Sequence, residues 1–223
     1  MSAGGEMNRK MPPGCCVLCT PKRPYKLSKP QVVSRKGLSA SGPIILGIDP
    51  GTQVMGYGLV RSLGMGFEHL EHGVLRLDKY SDPLLRLQRI HDACLRLLEE
   101  WKPREVSVEA PFHGKNVQSM LKLGRAQGVV MATALRYRLP IFEYAPRKVK
   151  MAVTGNGNAS KEQMAAMVMR LLDLRERPEM LDASDGLGVA LCHALQGKAH
   201  DVPDKASSWE AFIRDNPSRV KNK

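Results

Sequence analysis

Four carboxylates occupy positions from which they can meet at one point. Asp49 ends the apolar run I-I-L-G-I, and Glu109 ends the shorter run V-S-V; both runs predict short buried strands. Asp182 and Asp185 are three residues apart, a spacing that places them on one face of a helix. Burying an ionised group at a strand end is unfavourable unless a partner offsets its charge. Cations that prefer oxygen ligands, such as Mg2+, are suitable partners, so the four acids predict a metal site.

Each of these acids also has an ordinary structural explanation. Asp182 could cap a helix with Asp185 in its first turn, where the helix dipole favours negative charge. Glu109 could be a surface acid at a strand end, and Asp49 could belong to the Pro-Gly turn that follows it. The joint occurrence of all four favours the metal site.

Positive charge is concentrated in the first part of the chain. Of the net charge of +12, residues 1–41 carry +7, residues 42–197 carry +3 and residues 198–223 carry +2. We interpret residues 1–41 as a disordered basic tail, 42–197 as one folded domain and 198–223 as a polar tail. The charge predicts a polyanionic partner that a local patch of the domain contacts. An organelle transit peptide, or a start codon placed too far upstream, would give the same N-terminal composition.

Neither a membrane span nor a disulfide framework is predicted. No apolar run approaches the ~20 residues needed to cross a bilayer, and residues 1–41 lack the long apolar segment of a secretory signal. Cys94 and Cys192 fall in apolar helical patterns, which favours buried thiols in a reducing compartment. Cys16 and Cys19 form a C-x2-C, but no second Cys or His pair follows at zinc-site spacing, so structural zinc is disfavoured.

Strands and helices alternate along residues 42–197. Predicted strands are Ile44–Asp49, 56–60, 66–77, 106–109 and Ile141–Tyr144. Predicted helices are 83–101, with the apolar stripe Leu84, Leu87, Ile90, Cys94, Leu97, Leu98 and Trp101, then 116–137, 164–174 and 182–196. Ser160 and Gln163 match a capping box before the third helix. The order βββαβαβαα predicts an α/β fold, a five-stranded mixed sheet with helices on both faces.

Five segments taken together resemble the RuvC family of Holliday junction endonucleases, in the ribonuclease H-like superfamily. They are G47-I-D-P-G-T52, E109-x-x-F112-x-x-K115-N116, L121-K-L-G-R-A-Q-G128, F142-E-Y-A-P146 and D182-A-S-D185. The resemblance covers about residues 44–196 and implies a ribonuclease H-like nuclease domain. It further implies resolution of four-way DNA junctions, in recombination and repair, by paired metal-dependent cuts on opposing strands.

The resemblance also implies roles for individual residues. Four positions match the metal-binding acids of the family, which hold two Mg2+ ions, with Mn2+ as a substitute: Asp49, Glu109, Asp182 and Asp185. Phe112 matches a ring that stacks on an unpaired base, although a loop aromatic folded onto the core is the ordinary alternative. Lys150 and Lys161 match lysines close to the active site. Lys115 is a further candidate DNA contact, within a larger set of which about half should be solvated surface charges: Lys115, Lys122, Arg125, Arg147, Lys148, Lys150 and Lys161.

The family implies a homodimer, the RuvA–RuvB branch-migration complex as a partner, and a place in the bacterial cytoplasm and nucleoid. We predict the dimer interface on helix 116–137, where Leu121, Gly124 and Gly128 form a narrow stripe. Three other functions would explain parts of the sequence. An actin-like kinase needs two domains and a second D-x-G-T motif, which this chain lacks, and a DNA-binding protein without catalysis would not need all four acids. A nuclease of the same fold acting on RNA stays open. We interpret His193 as a core histidine.

Overall fold

The computed structural model describes residues 42–64, 66–111, 116–175 and 180–200, with side-chain surroundings through residue 196. The strands within these ranges are β1 (Ile44–Asp49), β2 (Val54–Leu63), β3 (Gly66–Arg76), β4 (Glu105–Glu109) and β5 (Ile141–Tyr144). The helices are α1 (Pro83–Trp101), α2 (Val117–Arg136), α3 (Pro146–Thr154), α4 (Lys161–Leu172) and α5 (Leu181–His200). The two predicted tails fall almost entirely outside the described residues, so both remain predictions.

The five strands form one mixed sheet in the order β3-β2-β1-β4-β5. The two hairpin pairs, β1 with β2 and β2 with β3, are antiparallel. The pairs β1 with β4 and β4 with β5 are parallel; α1 connects β3 to β4, and α2 is the crossover from β4 to β5. The predicted five-stranded mixed sheet is therefore confirmed.

Helix α3 is the element that the sequence pattern fails to predict. It has nine residues, and its buried side chains are Val149 and Val153, so its apolar periodicity is too short to recognise. Pro146 occupies the first helical position and Gly155 ends the helix in the left-handed conformation, at a φ of 75°. Proline at a helix start and glycine at its end are known boundary signals. The true order is therefore βββαβαβααα.

Apolar side chains cover both faces of the sheet. One core cluster joins the sheet to α1 and α2, and the other joins it to α3, α4 and α5. The stripe predicted on α1 is largely correct, because Ile90, Cys94, Leu97 and Leu98 are buried. Leu84 is a correction: its exposed fraction is 65%. It lies in the first turn, just after the cap that Asp82 provides, and faces away from the sheet.

A buried carboxylate ties three elements of the first core together. Glu71 on β3 has an exposed fraction of only 1%. It accepts hydrogen bonds from the Tyr57 hydroxyl at 2.9 Å, the Arg96 guanidinium at 2.7 Å and the Trp101 indole at 2.6 Å. Three donors and one opposite charge satisfy the buried acid, as such a site requires. The sequence pattern does not predict this network, because its residues are far apart in the chain.

Two histidines of β3 contact each other. The distance from His69 Nε2 to His72 Nδ1 is 2.7 Å, so one ring donates to the other and the two rings cannot both be protonated in this arrangement. Burial is the main reason that the pKa of His69 is lowered to about 4, and the neighbouring His72 lowers it further. Folding therefore favours the neutral form of His69.

Candidate active site

Parallel pairing of β1 and β4 brings Asp49 and Glu109 to one edge of the sheet. Ile48 is the register partner of Val108, and the two acids follow at the carboxyl ends of these strands. Side chains alternate along a strand, so both carboxylates project from the same face. The sequence prediction that the two strands end on neighbouring acids agrees with this geometry.

Helix α5 adds the other two acids from above this face. It lies directly on the backbone of β1 and β2, because glycines of the sheet leave no side chains in between. A Cβ placed on Gly56 would meet the carbonyl oxygen of Asp182, and one on Gly47 would meet the backbone at Ala190. This close approach brings the first two turns of α5 down to the strand ends.

Three of the four predicted acids form a tight cluster. One carboxylate oxygen from each of Asp49, Asp182 and Asp185 lies within 4.8 Å of the other two. Glu109 is outside this set but near enough for Asp49 and Asp185 to change its pKa. The donors are all carboxylate oxygens, which suit a hard cation such as Mg2+ better than zinc or copper. The cluster thus fits the predicted metal, and ligation by each acid remains a prediction.

Crowding and burial change the acid strengths in this cluster. Burial raises the pKa of Asp49 to about 7, with further increases from Asp185 and Asp182 and an opposing effect from Lys161. Burial also raises the pKa of Glu109 to about 8, helped by the charges of Asp49 and Asp185. The pKa of Asp185 is raised as well, chiefly by burial. The raised pKa values mean that the fold disfavours full ionisation of the cluster, and such shifts are common at functional sites.

Lys161 contacts two of the acids directly. Its Nζ lies 3.2 Å from Asp185 Oδ2 and 3.5 Å from Asp182 Oδ1. The predicted capping box is confirmed and positions this lysine: Gln163 N donates to Ser160 Oγ, and Ser160 N donates to Gln163 Oε1. Lys161 is consequently the first residue of α4, next to the first turn of α5.

Lys150 approaches the cluster from α3, the helix that the sequence pattern misses. Its charge lowers the pKa of both Glu109 and Asp185, so the ammonium group lies close to these acids. Arg147 and Lys148 belong to the same helix. The structure therefore places Lys161 in contact with the carboxylates, and Lys150 near enough to influence the pKa of two of them.

Two predicted DNA contacts, Phe112 and Lys115, lie outside the described residues. They belong to the segment between Pro111 and Asn116, which joins β4 to α2. Asn116 caps α2, because its side chain accepts a hydrogen bond from Ser119 N at 3.2 Å. Whether Phe112 stacks on a base or folds onto the core remains a prediction.

His193 is a satisfied core histidine, as the sequence analysis predicts. Its ring contacts the Tyr144 hydroxyl at 2.6 Å through Nδ1 and Glu105 Oε2 at 2.7 Å through Nε2. Cys94 and Cys192 are buried free thiols, also as predicted. These three residues therefore serve packing, and none belongs to the carboxylate cluster.

The stripe predicted for dimerisation faces outward from this chain. Leu121 has an exposed fraction of 53%. Beyond its own stretch of helix backbone, a Cβ added to Gly124 or Gly128 would meet no atom of the described residues within 4 Å. The stripe is therefore available to a partner, and dimerisation remains a prediction. Among the described residues, none of the helices has the length and apolarity of a membrane span.

Comparison with known proteins places this geometry in a family. The sequence profile described as "Crossover junction endodeoxyribonuclease RuvC" matches residues 45–193. The Cytophaga hutchinsonii protein of that name is 53% identical over 178 residues, which are 80% of this chain and 88% of the relative. Among solved structures, T. thermophilus RuvC in complex with Holliday junction substrate has a TM-score of 0.64 and 30% identity, and the match covers 71% of this chain and 96% of that one.

A more distant structure agrees on the fold. The yeast mitochondrial Holliday junction resolvase has a TM-score of 0.51 at 12% identity, and the match covers 78% of this chain and 83% of that one. The predicted ribonuclease H-like fold is confirmed by these structures. With the family profile covering two thirds of its residues, the chain belongs to the RuvC family of crossover junction endodeoxyribonucleases.

Proposed function

We propose that this chain resolves four-way DNA junctions by paired, metal-dependent hydrolysis of phosphodiester bonds on opposing strands. The observation that carries the proposal is the carboxylate cluster of Asp49, Asp182 and Asp185, with Lys161 in contact with two of its members. Family membership supports the reaction class. A related protein, T. thermophilus RuvC, has been solved with Holliday junction substrate.

The four acids hold two Mg2+ ions in this proposal, and Mn2+ can replace them. When bound, the cations supply an activated water and stabilise the charge that develops on the leaving 3′-oxygen. Asp49 is the central ligand, because it projects from the sheet between Glu109 on one side and the α5 acids on the other. The carboxylates orient the cations and balance their charge, so that the substrate phosphate can complete the coordination.

Basic residues around the cluster bind the DNA backbone. Lys161 and Lys150 offset the negative charge of the scissile phosphate; Lys161 contacts the acids, and the charge of Lys150 lowers the pKa of Glu109. Lys115 is a further phosphate contact. The +7 charge of residues 1–41 adds non-specific attraction to DNA, which should depend strongly on salt.

Phe112 supplies selectivity for junctions over continuous duplex. It is three residues beyond Glu109, so it is within about 10 Å of the strand end that carries this acid. An aromatic ring at that distance can stack on an unpaired base next to the scissile phosphate. A continuous duplex has no such base to offer.

Two copies of the chain act together in this proposal. The outward stripe of α2 forms the homodimer interface, so that two active sites face opposing strands of one junction. The RuvA–RuvB complex is the expected partner for branch migration, and the bacterial cytoplasm and nucleoid are the expected location. The stripe's exposure and its small residues support the dimer.

A mobile four-way junction, labelled on each strand in turn, tests the proposed reaction. Full-length protein with Mg2+ should make symmetric nicks that DNA ligase can seal. Asp49→Asn should bind the junction and leave it uncut, whereas the surface control Asp92→Asn should behave as the natural protein does. Binding without cleavage in Mg2+ and in Mn2+ would identify a non-catalytic junction-binding protein. Equal cleavage of RNA, or of linear duplex, would assign a different substrate.

Phe112→Ala tests the source of selectivity separately. Loss of one base–aromatic stack costs ~1–3 kcal/mol, so junction cleavage should slow by about tenfold to a hundredfold. Thermal stability should stay nearly constant, because an exposed ring contributes little to the core. A large fall in Tm with an unchanged cleavage rate per folded molecule would show that the ring is buried.

A further inference from the structure

We propose that Gly186 is a positioning residue for the metal site. It sets how closely α5 approaches the sheet, and thereby the separation of Asp49 from Asp182 and Asp185. This inference rests on the proposed metal site and adds to it the device that fixes the spacing of its ligands. Gly186 itself has no side chain with which to touch a cation or DNA.

The contact at Gly186 is between two backbones. A Cβ added there would lie 2.5–2.6 Å from the N, Cα and C atoms of Tyr57 on β2. The Tyr57 side chain points to the opposite face of the sheet, where it binds Glu71. On the α5 face the sheet offers Gly58, where an added Cβ would lie 2.7 Å from the Cα of Leu187. Glycine thus faces glycine along the crossing of α5 over β2.

The contact between Gly186 and the Tyr57 backbone lies within one helical turn of the helix acids. Gly186 directly follows Asp185 in the chain. One turn earlier, the carbonyl oxygen of Asp182 lies over Gly56, and Gly56 is the register partner of Asp49 in β1. Any change in the height of α5 above β2 therefore changes the distance between the helix acids and the strand acid.

The displacement that alanine would cause is large on the scale of the site. Carbon atoms in contact are normally ~3.5–4.0 Å apart, so a Cβ placed at 2.5 Å from Tyr57 Cα requires a shift of roughly 1 Å. Neither element can absorb this shift by rotating a side chain, because the atoms that collide are backbone atoms. Misplacement of catalytic groups by ~1 Å can reduce rates about a hundredfold. Alanine is the better helix former, so helix stability alone does not explain glycine here.

Gly186→Ala, with Gly188→Ala as its matched control, tests the positioning role. Both substitutions add one methyl group to α5 and raise helix propensity equally. At Gly188 the added Cβ would meet the terminal methyl of Met164, the far end of a flexible side chain, rather than a backbone. For each full-length variant we would measure Mn2+ affinity by calorimetry in the absence of DNA, junction affinity in EDTA, Tm, and the rate of junction cleavage.

Gly186→Ala should weaken Mn2+ binding at least tenfold and slow cleavage about a hundredfold, with junction affinity within about threefold of the natural protein. High Mn2+ should recover part of the cleavage rate. Gly188→Ala should stay within about threefold in every measurement. A folded Gly186→Ala protein with unchanged Mn2+ affinity would overturn the positioning role, and equal losses in both variants would overturn it too.

Gly58→Ala keeps the test decisive if Gly186→Ala does not fold. Two of the three atoms nearest to its added Cβ belong to the Leu187 side chain, which can move, so the helix is displaced less. Weaker Mn2+ binding by this folded variant would support the inference, and unchanged binding would contradict it. A different result would show that the proposed metal site is wrong: the natural protein and Asp49→Asn would then bind Mn2+ with equal affinity. That result would also contradict the positioning role of Gly186.

Discussion

Asp49→Asn is expected to stabilise the metal-free protein while removing its response to Mg2+. Asp49 is crowded by Asp182 and Asp185 within 4.8 Å, and the fold raises its pKa from 3.8 to about 7, mainly through burial and then through these neighbouring charges. An acid with a raised pKa holds its proton more firmly in the folded than in the unfolded state. Its contribution to stability is therefore greatest below pH 3.8 and is lost as the pH rises to 7.

The size of the effect follows from this change in pKa. Each pKa unit corresponds to ~1.4 kcal/mol, so the difference between 3.8 and about 7 sets an upper limit of ~4 kcal/mol at pH 8. Asparagine keeps the shape of the side chain without the charge, but it also loses the attraction to Lys161. A net gain of ~1–3 kcal/mol is the expected result, or about 3–10 °C in Tm for a domain of this size.

Thermal unfolding at pH 8, in EDTA and in Mg2+, measures both parts of the prediction. In EDTA the Asp49→Asn variant should melt at a higher temperature than the natural protein. The control Asp92→Asn should melt at the same temperature as the natural protein. In Mg2+ the natural protein should gain stability, because the cation binds only the folded state, whereas Asp49→Asn should gain little. The reasoning is refuted if Asp49→Asn melts lower in EDTA and still gains as much from Mg2+.

Three further predictions concern the rest of the fold. Glu71→Ala should lower the free energy of unfolding by ~2–4 kcal/mol in a urea titration, because it leaves the buried Tyr57 hydroxyl and the Trp101 indole without their acceptor, while the partly exposed Arg96 keeps only Glu100; a loss below 1 kcal/mol would show that the network is dispensable. His69 has a lowered pKa, so the free energy of unfolding should fall by up to ~3 kcal/mol as the pH is lowered from 6.5 to 4. In urea titrations of His69→Gln, the free energy of unfolding should depend less on pH than in the natural protein. Gly124→Glu should give monomers in sedimentation velocity, because it puts a charge into the proposed interface; normal dimers would move the interface off α2.

Much of the site could be predicted because its signals are local in sequence. A strand that ends on a carboxylate can be recognised from one short run, as for Asp49 and Glu109. The capping box at Ser160 and Gln163 places Lys161 by the same kind of short-range rule. The alternation of strands and helices predicts the mixed sheet, and the parallel pairing of β1 with β4 that brings the two acids together comes from the structure.

The features that sequence reasoning misses depend on contacts between distant segments. Helix α3 buries too few side chains to show a period, so Lys150 can be identified as a site residue only by family resemblance. Glu71 looks like an ordinary strand acid until the structure shows its donors on β2 and α1. Gly186 looks like a weak point in a helix until the backbone of Tyr57 is found beneath it. Leu84 fits the apolar stripe of α1 by spacing alone, yet no element of the described residues covers it.

The metal site itself is tested most directly by anomalous diffraction from crystals of the full-length protein grown with Mn2+. We predict one or two strong Mn2+ peaks at the edge of the sheet, each about 2 Å from carboxylate oxygens of Asp49, Asp182 or Asp185, with Glu109 completing the set. Crystals of Asp49→Asn should show weaker peaks or none. The proposed role of the cluster would be contradicted if protein that cleaves junctions in solution binds Mn2+ elsewhere in the crystal. In that case Lys161 would still contact both helix acids, Asp182 and Asp185.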